Sequence, residues 1–204
     1  MDISNKAIKA TLGNARVMDG RPDMSWMRYR DIAIEDAAAG AGGIRQVGRF
    51  LLVDKVQEVY LKIKTVIQSA SLGAEGGLNI HICSGISGGT GSGTFLDICY
   101  LIRCALNELG KTAANVCGYF FMPDVNLSVP AIAGNPLKSS YVKVNGYAAL
   151  KELDYCMNFV KNKDSFKMNY GFKFIDMHQR PVDLCYLISS VNSQGKAIKD
   201  GYNY

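Results

Sequence analysis

Residues 83–93, reading CSGISGGTGSG, combine glycines with hydroxyl side chains in a pattern that could bind phosphate. An apolar β-type run at 78–82 precedes this segment, and an apolar helical pattern starts at Thr94. Glycine allows close approach to an anion and positive φ. Unpaired N–H groups at the start of a helix, with the helix dipole, favour negative charge. The pattern predicts a phosphate loop. Its alternative is that the glycines serve only turns and close helix packing.

The order of residues separates this loop from two common phosphate-binding motifs. A P-loop needs a lysine after its glycines, and none follows here. The dinucleotide motif needs a third glycine at a spacing that Thr94 and its neighbours do not supply. Residues 87–93, SGGTGSG, instead resemble the signature loop of the tubulin and FtsZ superfamily, [SAG]GGTG[SA]G, at all seven positions.

A second segment supports this resemblance, because it stands upstream in the order that the superfamily has. Residues 40–49, GAGGIRQVGR, resemble the FtsZ loop GAGGNPxxGR that faces the terminal phosphate. Ile44 and Arg45 depart from its Asn-Pro pair, so the γ-phosphate contacts of that pair do not carry over to this chain. Taken alone, the small residues at 37–43 would be interpreted as a flexible linker. The SGGTGSGxxxD run, the Met-Pro-Asp triplet and YAALKEL make the large bacterial tubulin-like proteins the nearest resemblance.

The resemblance implies roles for individual residues. Segment 87–93 would bind the α- and β-phosphates through Gly88, Gly89, Thr90, Gly91, Ser92 and Gly93. Segment 40–49 would approach the γ-phosphate through Ala41, Gly42 and Gly43. The implied ligand is GTP or GDP, accompanied by Mg²⁺.

Four further polar residues are weaker candidates. Asp124 would face the ribose, or be a turn aspartate after proline. Asn192 would contact guanine, or be an ordinary loop asparagine, and Asn145 is a weaker substitute for it. The Asp97 carboxylate would interact favourably with the helix dipole. Water-mediated binding of Mg²⁺ is its less favoured role.

The hydrophobic pattern predicts elements that could position these residues. It indicates helices over 49–71, 94–109 and from 136 to about 159, with a loop at 125–135. Strands are predicted at 78–83, 116–122, 172–176 and 184–188. Apolar strands alternating with helices predict a three-layer α/β fold with a mainly parallel sheet and helices on both faces. The resemblance makes this an incomplete tubulin/FtsZ GTPase domain over 38–204. Segment 1–37, in which Trp26 and its neighbours form a buried anchor, either precedes this domain or belongs to it.

Composition excludes several classes of protein. The 48% apolar content of the 204 residues suits a globular domain, and no run approaches the roughly 20 apolar residues of a membrane span. The net charge of +5 is spread along the chain, so nucleic acid is not an expected partner. His81 and His178 lack zinc-ligand spacing. Six cysteines without a CxxC pair are interpreted as reduced thiols, which favours a cytoplasmic location.

The predicted function is guanine-nucleotide binding in a tubulin/FtsZ-like assembling protein, by resemblance a GTPase. Its partner would be a second copy, head to tail, or a longer tubulin-like chain. Hydrolysis would need residues outside this chain, because neither the family's first phosphate loop nor its acidic loop is recognisable. We therefore expect a fragment or a reduced relative. The alternatives are a non-catalytic scaffold that kept the fold, and an unrelated α/β enzyme for another phosphorylated ligand.

Overall fold

The computed structural model describes residues 22–28, 41–72, 77–192, 194 and 196, so most of segment 1–37 and Gly40 lie outside the described residues. Helices and strands are interspersed along the chain. They are α1 (Arg45–Asp54), α2 (Val56–Ser71), β1 (Asn79–Gly85), α3 (Thr90–Glu108), β2 (Asn115–Phe121), α4 (Pro123–Leu127), α5 (Pro130–Ala133), α6 (Pro136–Met157), α7 (Phe159–Asn162), β3 (Phe166–Asn169), β4 (Phe174–Met177) and β5 (Leu184–Ile188).

The central sheet is parallel, with its strands in the order β1-β2-β5. One face is buried: Val116 and Phe120 of β2 are fully inaccessible to solvent. Helix α3 packs on this face, where the Phe95 and Phe120 rings meet edge to face with centroids 5.2 Å apart. On the opposite face, the rings of Tyr119 and Tyr186 stack on neighbouring strands, 5.1 Å apart. The predicted α/β class, with a parallel sheet flanked by helices, is confirmed.

The prediction of one helix over residues 49–71 was wrong, because the chain breaks at Lys55. This residue has φ −116° and ψ 14°, outside the helical region, and separates α1 from α2. Apolar residues continue with helical spacing on both sides of the break, so periodicity alone could not reveal it. The break lets α1 and α2 each pack against α3 along its own direction.

Two further boundaries differ from the sequence-based prediction. The predicted loop at 125–135 contains the short helices α4 and α5, each begun by a proline, Pro123 or Pro130, at its first position. The strand predicted at 172–176 is β4, which pairs antiparallel with β3 in a separate two-stranded sheet. Gly171, with φ +84°, reverses the chain between these two strands.

The predicted anchor around Trp26 is present in part. Met24 and Met27 are 7% and 3% exposed and belong to the main core. Trp26 is half-buried, and the Arg49 guanidinium lies 4.7 Å from its ring centroid. Tyr29 lies outside the described residues. All six cysteines are free, and no described helix has the length and hydrophobicity needed to cross a membrane.

Glu108, near the end of α3, should make stability depend on pH. It accepts hydrogen bonds from Lys173 and from Lys64, the latter at 2.8 Å, and these lower its pKa to about 2. Because the folded-state pKa is depressed, the stabilisation is complete above about pH 4.5 and is lost as the pH falls towards 2. In urea denaturation we expect Glu108→Gln to be less stable than wild type at pH 7. This difference in the free energy of unfolding should disappear as the pH falls from about 4.5 towards 2.

Glu58→Gln is the matched control, because Glu58 pairs with Lys55 at 3.6 Å and its side chain is 76% exposed. Exposed pairs contribute little, so this variant should match wild type at every pH. A Glu108→Gln deficit that persists unchanged at pH 2 would contradict the assignment to the carboxylate charge.

Candidate functional site

Two glycines allow helices α1 and α3 to touch backbone to backbone. A Cβ atom added at Gly48 of α1 would lie 2.2 Å from the carbonyl oxygen of Gly89. One added at Gly93 of α3 would lie 2.2 Å from that of Arg45. Larger residues would therefore force the helices apart. Each helix follows a glycine-containing loop, residues 41–43 for α1 and 86–89 for α3, so this crossing places the 41–43 loop beside the 86–89 loop.

The two loops also contact each other directly. The Ala41 amide donates to Thr90 Oγ1 at 3.3 Å, and a Cβ at Gly89 would lie 2.7 Å from the Ile44 nitrogen. Gly42 and Gly43 have φ of +56° and +83°, the left-handed region that favours glycine. No heavy atom of the described residues lies within 4 Å of their Cβ positions, so with respect to this part of the chain this side of the 41–43 loop borders open space.

Helix α3 begins at Thr90, four residues before the predicted start at Thr94. The second half of the signature motif therefore forms the first helical turn. The cap position, Gly89, offers no side-chain hydrogen bond to this turn. Within the described part of the chain, the amides of Thr90, Gly91 and Ser92 donate to no protein acceptor. The result is a set of unpaired donors at the positive end of a 19-residue helix, which suits an anion.

The glycines of the motif divide into two groups. Gly89, Gly91 and Gly93 are needed for packing, since a Cβ at Gly91 would lie 2.2 Å from the Gly85 carbonyl oxygen. The amide of Gly93 also donates within the protein, to the Gly89 carbonyl oxygen at 3.1 Å. Gly88, in contrast, has no heavy atom of the described chain within 4 Å of its Cβ position. The packing alternative considered from the sequence thus explains part of the motif, and Gly88 is the member that faces open space.

The hydroxyl groups of the motif are used inside the protein. Ser92 is 1% exposed, and its Oγ donates to the Asn145 carbonyl oxygen at 3.4 Å. Ser87 is equally buried and accepts a hydrogen bond from Asn126 at 2.9 Å. Thr90 is exposed, and its Oγ1 accepts from Ala41. The Ser92 hydroxyl therefore holds α3 against α6, and among the described residues only the Ser92 amide is left without a protein acceptor.

Asn145, the weaker candidate for guanine contact, lies inside the protein. Its side-chain NH₂ donates to the Gly43 carbonyl oxygen at 2.7 Å and to that of Ser87 at 3.2 Å. The residue is 8% exposed. It connects the two loops instead of reaching towards a base. Nothing in the sequence indicated this role, because the contact to Gly43 spans 102 positions.

Arg45, which departs from the FtsZ pattern, is also committed to protein partners. Its guanidinium donates to the Ser92 carbonyl oxygen at 3.0 Å and forms a two-point ion pair with Glu152 of α6. The pair ties α1, α3 and α6 together behind the loops. Arg45 thus braces the first turn of α3 and supplies no free cation for a phosphate.

Asp124, the candidate for ribose contact, holds the chain after β5. Its Oδ2 accepts from the Ser189 hydroxyl at 2.7 Å and from the amide and hydroxyl of Ser190 at 2.6 and 2.8 Å. Burial acts to raise the pKa of Asp124, but these hydrogen bonds outweigh it and hold the pKa below its ordinary value. Asp124 lies at the carboxyl edge of the sheet, just after β2, and its contacts are those of a turn.

Asn192 lies beyond the end of β5 at the same edge and is exposed. Its Oδ1 accepts from the Gln194 and Lys196 amides at 2.9 and 3.0 Å, which closes a local turn. The structure does not bring Asn192 into contact with either glycine loop among the described residues. Guanine contact by Asn192 therefore stays a prediction.

Asp97 does not fit a magnesium ligand. Both of its oxygens accept hydrogen bonds from Arg49 at 2.9 Å, and Tyr170 donates to Oδ1 at 2.5 Å. Its side chain is only 5% exposed. The described residues contain no group of His, Cys, Asp or Glu that could hold a metal ion. Asp97 instead belongs to a buried ionic cluster that joins α1, α3 and the residue after β3.

Comparison with known families agrees with the motifs. A family model described as tubulin like matches residues 2–204, nearly the whole chain. No curated protein and no solved structure gives a match.

Proposed function

The chain belongs to the tubulin-like family, and we propose that its paired glycine loops bind the phosphates of a guanine nucleotide. One observation carries the proposal. Within the residues that the structure describes, the uncapped first turn of α3 presents unpaired amides beside Gly88, whose Cβ position faces open space. Backbone donors at a helix start, with room in front of them, are what a phosphate requires.

The two loops would divide the phosphates between them. Amides of Gly88, Gly89, Thr90, Gly91 and Ser92 would donate to the α- and β-phosphates, while Gly93 contributes packing. The 41–43 loop, open beside Gly42 and Gly43, would receive the γ-phosphate. Asp97 is engaged by Arg49 and Tyr170, so Mg²⁺ is proposed to arrive on the phosphate oxygens of the nucleotide.

Assembly is the second part of the proposal. Family membership supports head-to-tail association of this chain with itself or with a longer tubulin-like chain, in the cytoplasm. Hydrolysis is proposed to need carboxylates beyond Asp97 and Asp124, because the structure holds both in hydrogen bonds.

A scaffold function is the second candidate, and a specific observation favours it. Gly89, Gly91 and Gly93 are required by close backbone contacts whether or not a ligand binds. A tubulin-like module without productive nucleotide binding would therefore need the same three glycines.

Titration of the purified chain with fluorescent GTP, GDP and ATP separates the two functions. We expect saturable binding of GTP and GDP, with ATP weaker, followed by nucleotide-dependent sedimentation in a pelleting assay. Absence of GTP and GDP binding would favour the scaffold. Tighter binding of ATP would contradict only the guanine assignment, and pelleting without nucleotide dependence would contradict only the link to assembly.

A further inference from the structure

We propose that Asn145 is a positioning residue that sets the spacing between the 41–43 loop and the 86–89 loop, and thereby the preference for a nucleoside triphosphate over a diphosphate. The inference rests on the proposed function, because it assigns phosphates to the two loops. It adds a residue of α6 that lies in neither glycine-rich motif.

The geometry of Asn145 is that of a clamp. One NH₂ group donates to the Gly43 carbonyl oxygen at 2.7 Å and to the Ser87 carbonyl oxygen at 3.2 Å. Each loop thus contributes one acceptor to the same donor group. Asparagine is suited to this task because its NH₂ group carries two hydrogens. Movement of either loop away from the other would break one of these bonds.

The clamp is itself held firmly. The Asn145 carbonyl oxygen accepts from Ser92 Oγ in the first turn of α3, at 3.4 Å. At the next residue, a Cβ added to Gly146 would lie 2.1 Å from Pro123 Cγ, so α6 is seated directly on the start of α4. Asn145 is 8% exposed, so solvent cannot readily replace its hydrogen bonds. Its removal would leave two carbonyl groups without their partner.

The consequence differs between nucleotides. In the proposed function a diphosphate contacts only the 86–89 loop and the first turn of α3, whereas a triphosphate must also reach the 41–43 loop. A change in loop spacing therefore weakens the triphosphate selectively. A residue that merely supported the fold would weaken both nucleotides by the same factor.

Asn145→Ala tests this selectivity, with Asn126→Ala as the matched control. Asn126 also holds the 86–89 loop, through Ser87 Oγ at 2.9 Å, but the structure shows no hydrogen bond from it to the 41–43 loop. Isothermal titration would give the Kd of GDP and of a non-hydrolysable GTP analogue for each variant of the 204-residue chain. We expect the ratio of the two affinities to fall roughly tenfold in Asn145→Ala, as for the loss of one buried hydrogen bond, and to stay unchanged in Asn126→Ala.

Hydrogen exchange supplies a readout that does not depend on nucleotide. Asn145→Ala should raise exchange in both loops together, and Asn126→Ala in the 86–89 loop alone. An unchanged affinity ratio, or faster exchange in only one loop of Asn145→Ala, would overturn the inference. Failure of wild type to bind either nucleotide would defeat the proposed function and the selectivity, and the exchange data would still decide whether Asn145 sets the loop spacing.

Discussion

Replacing Gly88 by aspartate is expected to abolish nucleotide binding while the fold remains intact. Among the described residues, no heavy atom lies within 4 Å of the Cβ position of Gly88, and the φ of Gly88 is not positive, so a side chain can be accommodated there. The new carboxylate would lie before the first turn of α3, where its negative charge interacts favourably with the helix dipole and stabilises the helix. It would also occupy the place proposed for a phosphate. Two like charges about 4 Å apart cost about 4 kcal/mol near a protein surface, or roughly a thousandfold in Kd.

Opposite effects on stability and binding make this substitution diagnostic. We expect an unfolding midpoint equal to or above that of wild type by urea denaturation, together with loss of GTP binding by titration. Gly88→Asn has the same shape without the charge, so it should lose affinity only by crowding the phosphate and should therefore lose less than Gly88→Asp. Gly91→Ala should destabilise the fold instead, since its Cβ would lie 2.2 Å from the Gly85 carbonyl oxygen. Unaltered GTP affinity in Gly88→Asp would show that no phosphate of the nucleotide binds beside residue 88.

Asp97→Ala should cause a large loss of stability, about 3–5 kcal/mol in the free energy of unfolding. The substitution leaves the Arg49 guanidinium, whose side chain is 24% exposed, without its carboxylate, and Tyr170 without its acceptor. Burial alone lowers the pKa of Arg49, but Asp97 outweighs it and raises the pKa above its ordinary value. For Tyr170, burial and the nearby carboxylate both raise the pKa, which keeps the phenol protonated as a donor.

Urea denaturation at pH 7 measures this cost against two controls. Glu152→Gln weakens the Arg45 pair, where the carboxylate side chain is 48% exposed, and should cost at most about 1 kcal/mol. Arg49→Met combined with Asp97→Leu removes both charges and should recover much of the stability, because an apolar pair avoids the uncompensated charge. Equal losses in Asp97→Ala and Glu152→Gln would show that the cluster is not effectively buried.

The elements that the sequence predicted well are those whose hydrophobic pattern is local. Strand β5 lies where the apolar run at 184–188 predicted it, and β1 and β2 shift by only one or two residues. Local patterns could not show the break at Lys55, since the apolar spacing continues through it. They also could not show where α3 begins, because glycine and serine in a first helical turn look like loop residues.

The site was predictable in position but only partly in mechanism. The two motifs identified the loops, and the strand β1 that precedes residues 86–89 placed that loop at the carboxyl edge of the sheet. Contacts across long sequence separations decide the rest: Arg45 meets Glu152 across 107 positions, and Asn145 meets Gly43 across 102. No spacing rule relates such residues, so the use of Arg45 as a brace and Asn145 as a clamp required the folded chain.

The close contact of α1 and α3 bears on what a motif match can reveal about the evolution of this family. Selection for a folded domain alone would preserve Gly89, Gly91 and Gly93, because any side chain there collides with backbone. A lineage that stopped using nucleotide would therefore still carry most of the signature. Gly88 has no such constraint and would be free to drift first. In other tubulin-like sequences, an acidic residue at the position of Gly88 would be the earliest visible record of a lost ligand.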